Sequence, residues 1–354
     1  MNAAIEKSSR GNFFEDFRIG QDLIHAVPRT ITTGDVALYS ALYGMRFGLQ
    51  SSDAFAQTNG LLRAPIDNLL LFHVIFGKTV PDISLNAVAN LGYAECRFLV
   101  PAFPGDSFTA SSEVIGLKEN SSGKTGIVYV RSTGYNQHGV AVLSFIRWVM
   151  VNKGDVKATA PDAVVPYYAT SVDPSSLVIP ESLDFSRYDA QLGGGNLFLE
   201  DYAAGEKIDH VDGMTIEEAE HTLATKLYQN TAKGHFDALL QKSSRFGRRI
   251  VYGGHIMSLA RSLSFNGLSN GCVFAGINGG RHANPAAAGE TVYCWSEILE
   301  THALPDRADV GAMRVRTIAT RDTPCAEFPV ASGATESSVL LELDYWLLMP
   351  CNPS

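Results

Sequence analysis

The chain has 354 residues, more than one hydrophobic core usually supports, so two domains are expected. Hydrophobic residues make up 45% and charged residues 18%, which excludes a disordered chain. A formal charge of -9 and a pI near 5.5 argue against a nucleic-acid partner and require any anionic ligand to be met by a local basic patch.

The N-terminal stretch, MNAAIEKSSRGNFFEDF, lacks the apolar core of a signal peptide, and no run of about 18 apolar residues could span a bilayer. A cytoplasmic protein without a membrane partner is expected. The first predicted unit, 12–152, opens a helix at Thr33 with Leu38, Leu42 and Tyr43 on its apolar side, followed by a second apolar helix over 66–76. Long β-rich runs follow at 107–117, 126–133 and 140–151. Residues 153–195 contain Pro161, Pro166, Pro174, Pro180 and then Gly193-Gly194-Gly195, the composition of a connector without its own core.

The second unit, 196–350, repeats this order. Thr215-x-x-Glu218 fits a capping box at the head of a helix carrying Ala219, Leu223 and Leu227. Gly253-Gly254 announces a second apolar helix over 255–265, and strands are predicted over 290–299, 313–320 and 338–349. The repetition extends to single residues. Glu15-Asp16-Phe17-x-x-Gly20 returns as Glu200-Asp201-Tyr202-x-x-Gly205, His25 as His210, Thr30-Ile31 as Thr215-Ile216 and Leu42-Tyr43 as Leu227-Tyr228, all 185 residues apart. Arg97, Pro101 and Gly105 return as Arg281, Pro285 and Gly289, 184 apart. Helices followed by several long strands, twice over, point to an α+β chain with an antiparallel sheet.

Candidate chemistry lies after the second unit's first helix, in Leu227-Tyr228-Gln229-Asn230-Thr231-Ala232-Lys233-Gly234-His235. An imidazole titrates near neutral pH and can move protons, although a histidine at a helix end can also be a capping residue. Asn230 can orient a water but cannot take its proton, and it can equally close a helix. The N–H groups behind Gly253-Gly254 could meet a developing oxyanion, or the pair could be a tight turn. Lys242, Arg245, Arg248 and Arg249 form a basic cluster that could bind phosphate or carboxylate, or be a solvated surface. In the first unit the same offset puts Met45 opposite Asn230 and Gln50 opposite His235, and neither does acid/base work. That unit is expected to shape the pocket only. The scattered cysteines Cys96, Cys272, Cys294, Cys325 and Cys351 suggest neither disulfides nor zinc, and no metal or other cofactor is expected.

The turn and the glycine-headed helix resemble the MaoC-like, R-specific enoyl-CoA hydratase family, whose acidic residue and histidine lie five positions apart. His235 matches the histidine and Gly253 or Gly254 the helix-head glycine, while the acidic position falls on Asn230, a departure that leaves Asp237 as a candidate second acid. FFEDFRIGQ, RTITTGDVALYSALYG, CRFLVPAFPGD, QNTAKGHFD and RRIVYGGHIMSLARS are most similar to mesaconyl-CoA hydratases, also called β-methylmalyl-CoA dehydratases. The resemblance implies a double hot dog fold, with a central helix wrapped by an antiparallel sheet in each tandem unit. It also implies an acyl-CoA partner and a hydro-lyase reaction with His235, Asn230 and Gly254 as catalytic groups; for such a ligand Gly253 and the basic cluster of Lys242, Arg245, Arg248 and Arg249 are the expected substrate contacts. CoA would be part of the substrate. Fusion of the units would replace a dimer, with a homo-oligomer of the double unit still open. A hydratase of other enoyl chains, a hot dog thioesterase and a non-catalytic acyl-CoA-binding protein are the alternatives.

Overall fold

The computed structural model describes residues 7–304, 306–330 and 337–352. Its strands follow the β-rich runs read from the sequence and add others that periodicity missed. In the first unit they are β1 (Asp22–Thr30), β2 (Ala87–Phe98), β3 (Ser107–Glu119), β4 (Thr125–Tyr135) and β5 (Ala141–Asn152). In the second they are β6 (Lys207–Asp209), β7 (Met214–Thr215), β8 (Val273–His282), β9 (Thr291–Leu304), β10 (Arg307–Arg321) and β11 (Val339–Pro350).

All pair antiparallel in one sheet ordered β1-β3-β4-β5-β2-β8-β11-β10-β9-β6, with β7 also on β9. The two halves mirror each other about the β2–β8 seam, where Tyr93 faces Gly280 and Arg97 faces Gly276. Each half wraps one central helix, Asn68–Thr79 or Gly253–Leu263, buried along almost its whole length. The first is apolar on nearly every side, as a buried helix should be, while the second buries Ser258, Arg261 and Ser262 through hydrogen bonds to the Tyr39 hydroxyl and the Gly271 and Tyr43 carbonyls. This is the double hot dog architecture.

Repeated residues hold equivalent joints. Gly105 and Gly289 turn with φ of 105° and 90°, and their N–H groups donate to the carbonyls of Ile31 and Ile216. His25 and His210 make matching hydrogen bonds within the fold. Each is buried with Nε2 on a serine hydroxyl, Ser112 or Ser296, at 2.8 Å. Tyr43 and Tyr228 meet hydroxyl to hydroxyl at 2.7 Å on the pseudo-twofold, and Tyr43 also bonds His255.

Three local expectations are corrected. The capping box at Thr215 does not form, because Thr215 pairs as strand with Thr291 and the helix is Glu218–Leu227, without a side-chain cap. The first central helix starts later than position 66, where Asp67 caps it through the N–H of Leu69 at 2.8 Å. The second starts at Gly253 and stops at Leu263, before the non-helical Asn266 and Gly267. The connector, moreover, is anchored: Val172, Leu177, Leu183, Phe185 and Tyr188 are buried in a cluster with Trp346 and Leu348. Among the described residues no helix is long and apolar enough to cross a membrane.

Candidate active site

The second unit's first helix, Glu218–Leu227, ends at Tyr228, and Gln229 turns the chain with φ of 54°. A left-handed residue here closes the helix, so Asn230 is not its cap. Asn230 lies beyond the turn and is 2% exposed. Its Oδ1 accepts from the N–H of Ala232 at 3.0 Å, and among the described residues no protein group takes its Nδ2. Gly77 of the first unit's central helix supports this turn from the other side: a Cβ there would collide with the Tyr228 carbonyl.

Ala232 starts the short helix Lys233–Phe236, which carries His235. The ring's Nδ1 donates to the carbonyl of Ile250 at 2.9 Å, and the N–H of Ile250 returns a bond to Gly234. Tyr252 stands edge-on to the imidazole, centroids 5.8 Å apart. Burial pushes the His235 pKa down to about 4, against the opposing pull of the Ile250 carbonyl. The histidine is therefore neutral at physiological pH. Since Nδ1 carries the proton, Nε2 holds a free lone pair, the form a general base requires.

Both side chains line a cavity of about 670 Å³ between the two units. Phe76, Tyr93 and Arg147 come from the first unit and Asn230, His235, Gly253 and His282 from the second, so both units line it. No Asp or Glu is among its described lining residues. Of the glycine pair, Gly253 faces the cavity and also packs on the ring of His282. Gly254 lies behind it, where a Cβ would meet the rings of Tyr252 and His73. Glycine at 254 thus serves packing, and the first free N–H groups of this helix lie beside the cavity through Gly253.

The basic cluster divides. Arg245 and the previously unremarked Lys233 are exposed residues on the cavity lining. Arg248 is instead paired with Glu290 at 3.2 Å and Arg249 with Glu218, and Lys242 is exposed away from the lining. Asp237 is spent capping a short helix through the N–H of Leu240 at 2.8 Å and does not reach the cavity. Gln50 donates to the carbonyl of Cys272 and lies off the cavity, while Met45 packs against the core.

Two cavity groups went unread. His282, with Nε2 3.0 Å from the Tyr93 hydroxyl, sits where the repeat has no second histidine to flag it. Burial lowers its pKa to about 4 as well. Arg147 had a signal, since it interrupts the inward-facing alternation Leu143, Phe145, Val149, Val151 of β5. Among the described residues no cluster of His, Cys, Asp or Glu could hold a metal ion.

Comparison with known proteins identifies the family and the fold. The family described as mesaconyl-CoA hydratase matches residues 2–340. A β-methylmalyl-CoA dehydratase of Chloroflexus aurantiacus is 59% identical over 97% of this chain and 98% of its own. A mesaconyl-CoA hydratase of Cereibacter sphaeroides is 56% identical, over 97% and 99%. The crystal structure of a protein described as a MaoC-domain dehydratase from Chloroflexus aurantiacus superposes with a TM-score of 0.96 at 58% identity, covering 98% of this chain and 99% of that one. Rv0216 of Mycobacterium tuberculosis, described as a double hotdog fold, superposes with a TM-score of 0.74 at 23% identity, over 96% and 98%.

Proposed function

This chain belongs to the mesaconyl-CoA hydratase family, and on that premise we propose how it hydrates mesaconyl-CoA (2-methylfumaryl-CoA) reversibly to β-methylmalyl-CoA. The observation that carries the mechanism is the neutral His235 fixed through Nδ1, with Nε2 left as a base beside the free amide of Asn230. Asn230 Nδ2 donates to the oxygen of a water and orients it. His235 Nε2 takes a proton from that water as its oxygen adds to the acyl carbon next to the free carboxylate. Charge then collects on the thioester oxygen, where the N–H groups of the first turn at Gly253 and the positive end of the helix oppose it. The imidazolium returns its proton to the methyl-bearing carbon. One water is added and no net proton is consumed, so a single histidine can carry both transfers.

The exposed Arg245 and Lys233 suit the phosphates of CoA at the cavity mouth, and the five free thiols suit the cytoplasm. The test is incubation of the protein with mesaconyl-CoA while enoyl-thioester absorbance and free thiol are followed together. Absorbance should fall with no CoA released. Release of CoA would mean a thioesterase, and no change in either signal would mean a binding protein.

The same assay reads the state of His235. A pKa lowered to about 4 leaves the base form intact down to that value, so kcat/KM for hydration should hold between pH 8 and 5 and decline only as pH falls towards 4. An inflection near the ordinary histidine value, about 6.5, would show that the ring is solvated in the working enzyme.

A further inference from the structure

Arg147 is wholly buried yet has no carboxylate within ion-pair distance among the described residues. Its guanidinium lies over the ring of Phe76, 4.3 Å from the centroid. Nη2 donates to Thr79 Oγ1 at 2.7 Å and both terminal nitrogens make only long contacts to Ser84 Oγ, at 3.4 and 3.5 Å. Nε has no partner among the described residues. Burial lowers the group's pKa to about 10, still leaving it charged at neutral pH. A buried cation without a counter-ion is costly, and proteins tolerate one chiefly where something else supplies the opposite charge.

The surroundings show where that charge would enter. Arg147 lines the cavity of Asn230 and His235, whose described lining has no acid. Asn90, on the same lining, also has both its amide oxygen and its amide nitrogen buried without a partner among the described residues. Two residues that carry buried, unmet polar atoms thus stand on the lining of one acid-free space. A planar guanidinium fork with an amide donor beside it is the arrangement that receives a carboxylate.

We propose that Arg147, assisted by Asn90, binds the free carboxylate of the acyl group and so makes the first unit the specificity half of the site. This inference rests on the hydratase reading above and assigns the carboxylate contact to β5 of the first unit. Arg248 and Arg249 are already occupied by Glu290 and Glu218. Holding the carboxylate would also place the adjacent double-bond carbon, the one that gains the hydroxyl, at a fixed distance from the histidine side of the cavity.

The test uses the full chain and two saturated CoA thioesters that cannot react, 2-methylsuccinyl-CoA and 2-methylbutyryl-CoA, which differ only in a carboxylate against a methyl group. Calorimetry on the unmodified protein should show the carboxylated ligand binding about ten- to a hundredfold more tightly, the scale of a charge-assisted contact. Arg147→Met should abolish that preference while leaving 2-methylbutyryl-CoA affinity within about threefold, and Arg147→Lys should keep only part of it. Equal affinity of the two ligands for the unmodified protein overturns the proposal even if no variant folds. So does a folded Arg147→Met that keeps the preference, or that loses both ligands equally, which would mean a CoA contact. If the unmodified protein fails to hydrate mesaconyl-CoA at all, the hydratase reading falls instead, and the two failures are told apart.

Discussion

Replacing His235 with alanine is expected to lower kcat by about a hundredfold or more, the usual scale for losing a positioned general acid/base. Among the described residues lining the cavity no carboxylate is available to share the proton, since Asn230 stands in the acidic position and Asp237 caps its own helix. The structural loss should be small. His235 is half-buried, and its one side-chain bond, to Ile250, is worth about 0.5 to 1.5 kcal/mol. Circular dichroism and a thermal melt should therefore show a folded variant with a modestly lowered Tm. A folded variant nearly as active as the parent would move the proton transfer to another ring in the cavity, with His282 beside Tyr93 the first to test.

Asn230→Ala is expected to lose activity by about tenfold to a thousandfold, because it removes both the donor that holds the water and the bond to the Ala232 N–H that shapes the turn. Asn230→Asp is nearly isosteric and keeps an oxygen for that N–H, so the turn should survive and hydratase activity should be kept or raised. The pair of variants separates positioning from packing. A purely structural asparagine would lower Tm in the alanine variant and leave kcat and KM as they were, and that result would remove Asn230 from the mechanism.

How much of this could be read from residues alone varied with the kind of signal. The duplicated motifs carried the architecture, because residues such as Gly105 and Gly289 hold the same turn in both units for the same backbone reason. The strands β3, β4 and β5 and their counterparts were legible through their β-branched and aromatic runs. β2 and β8 were not, since the segments holding Gly92, Gly276, Gly279 and Gly280 lack such a run. Among the residues that line the cavity, His235 was legible from its place in the turn. Arg147 and His282 were missed because a cavity between two units gathers residues that neither chain distance nor repeat offset connects. The basic loop misled for a related reason: Glu218 and Glu290, which neutralise Arg249 and Arg248, lie 31 and 42 positions away. Sequence shows a charge run but not the partners that cancel it.

Gly77 carries a last consequence. It belongs to the half of the molecule without the histidine, yet its missing side chain is what lets the Tyr228 carbonyl, and Asn230 two residues on, sit where they do. After a duplication the two copies can come to differ at matching positions, as Met45 and Gln50 differ from Asn230 and His235, but neither is free to change shape against its sibling. Drift in the front half is limited by geometry in the back half. A chimera that grafts a foreign first unit onto this second one would need a glycine at the position of Gly77, whatever else it brought, or the graft would fold with its reactive turn displaced.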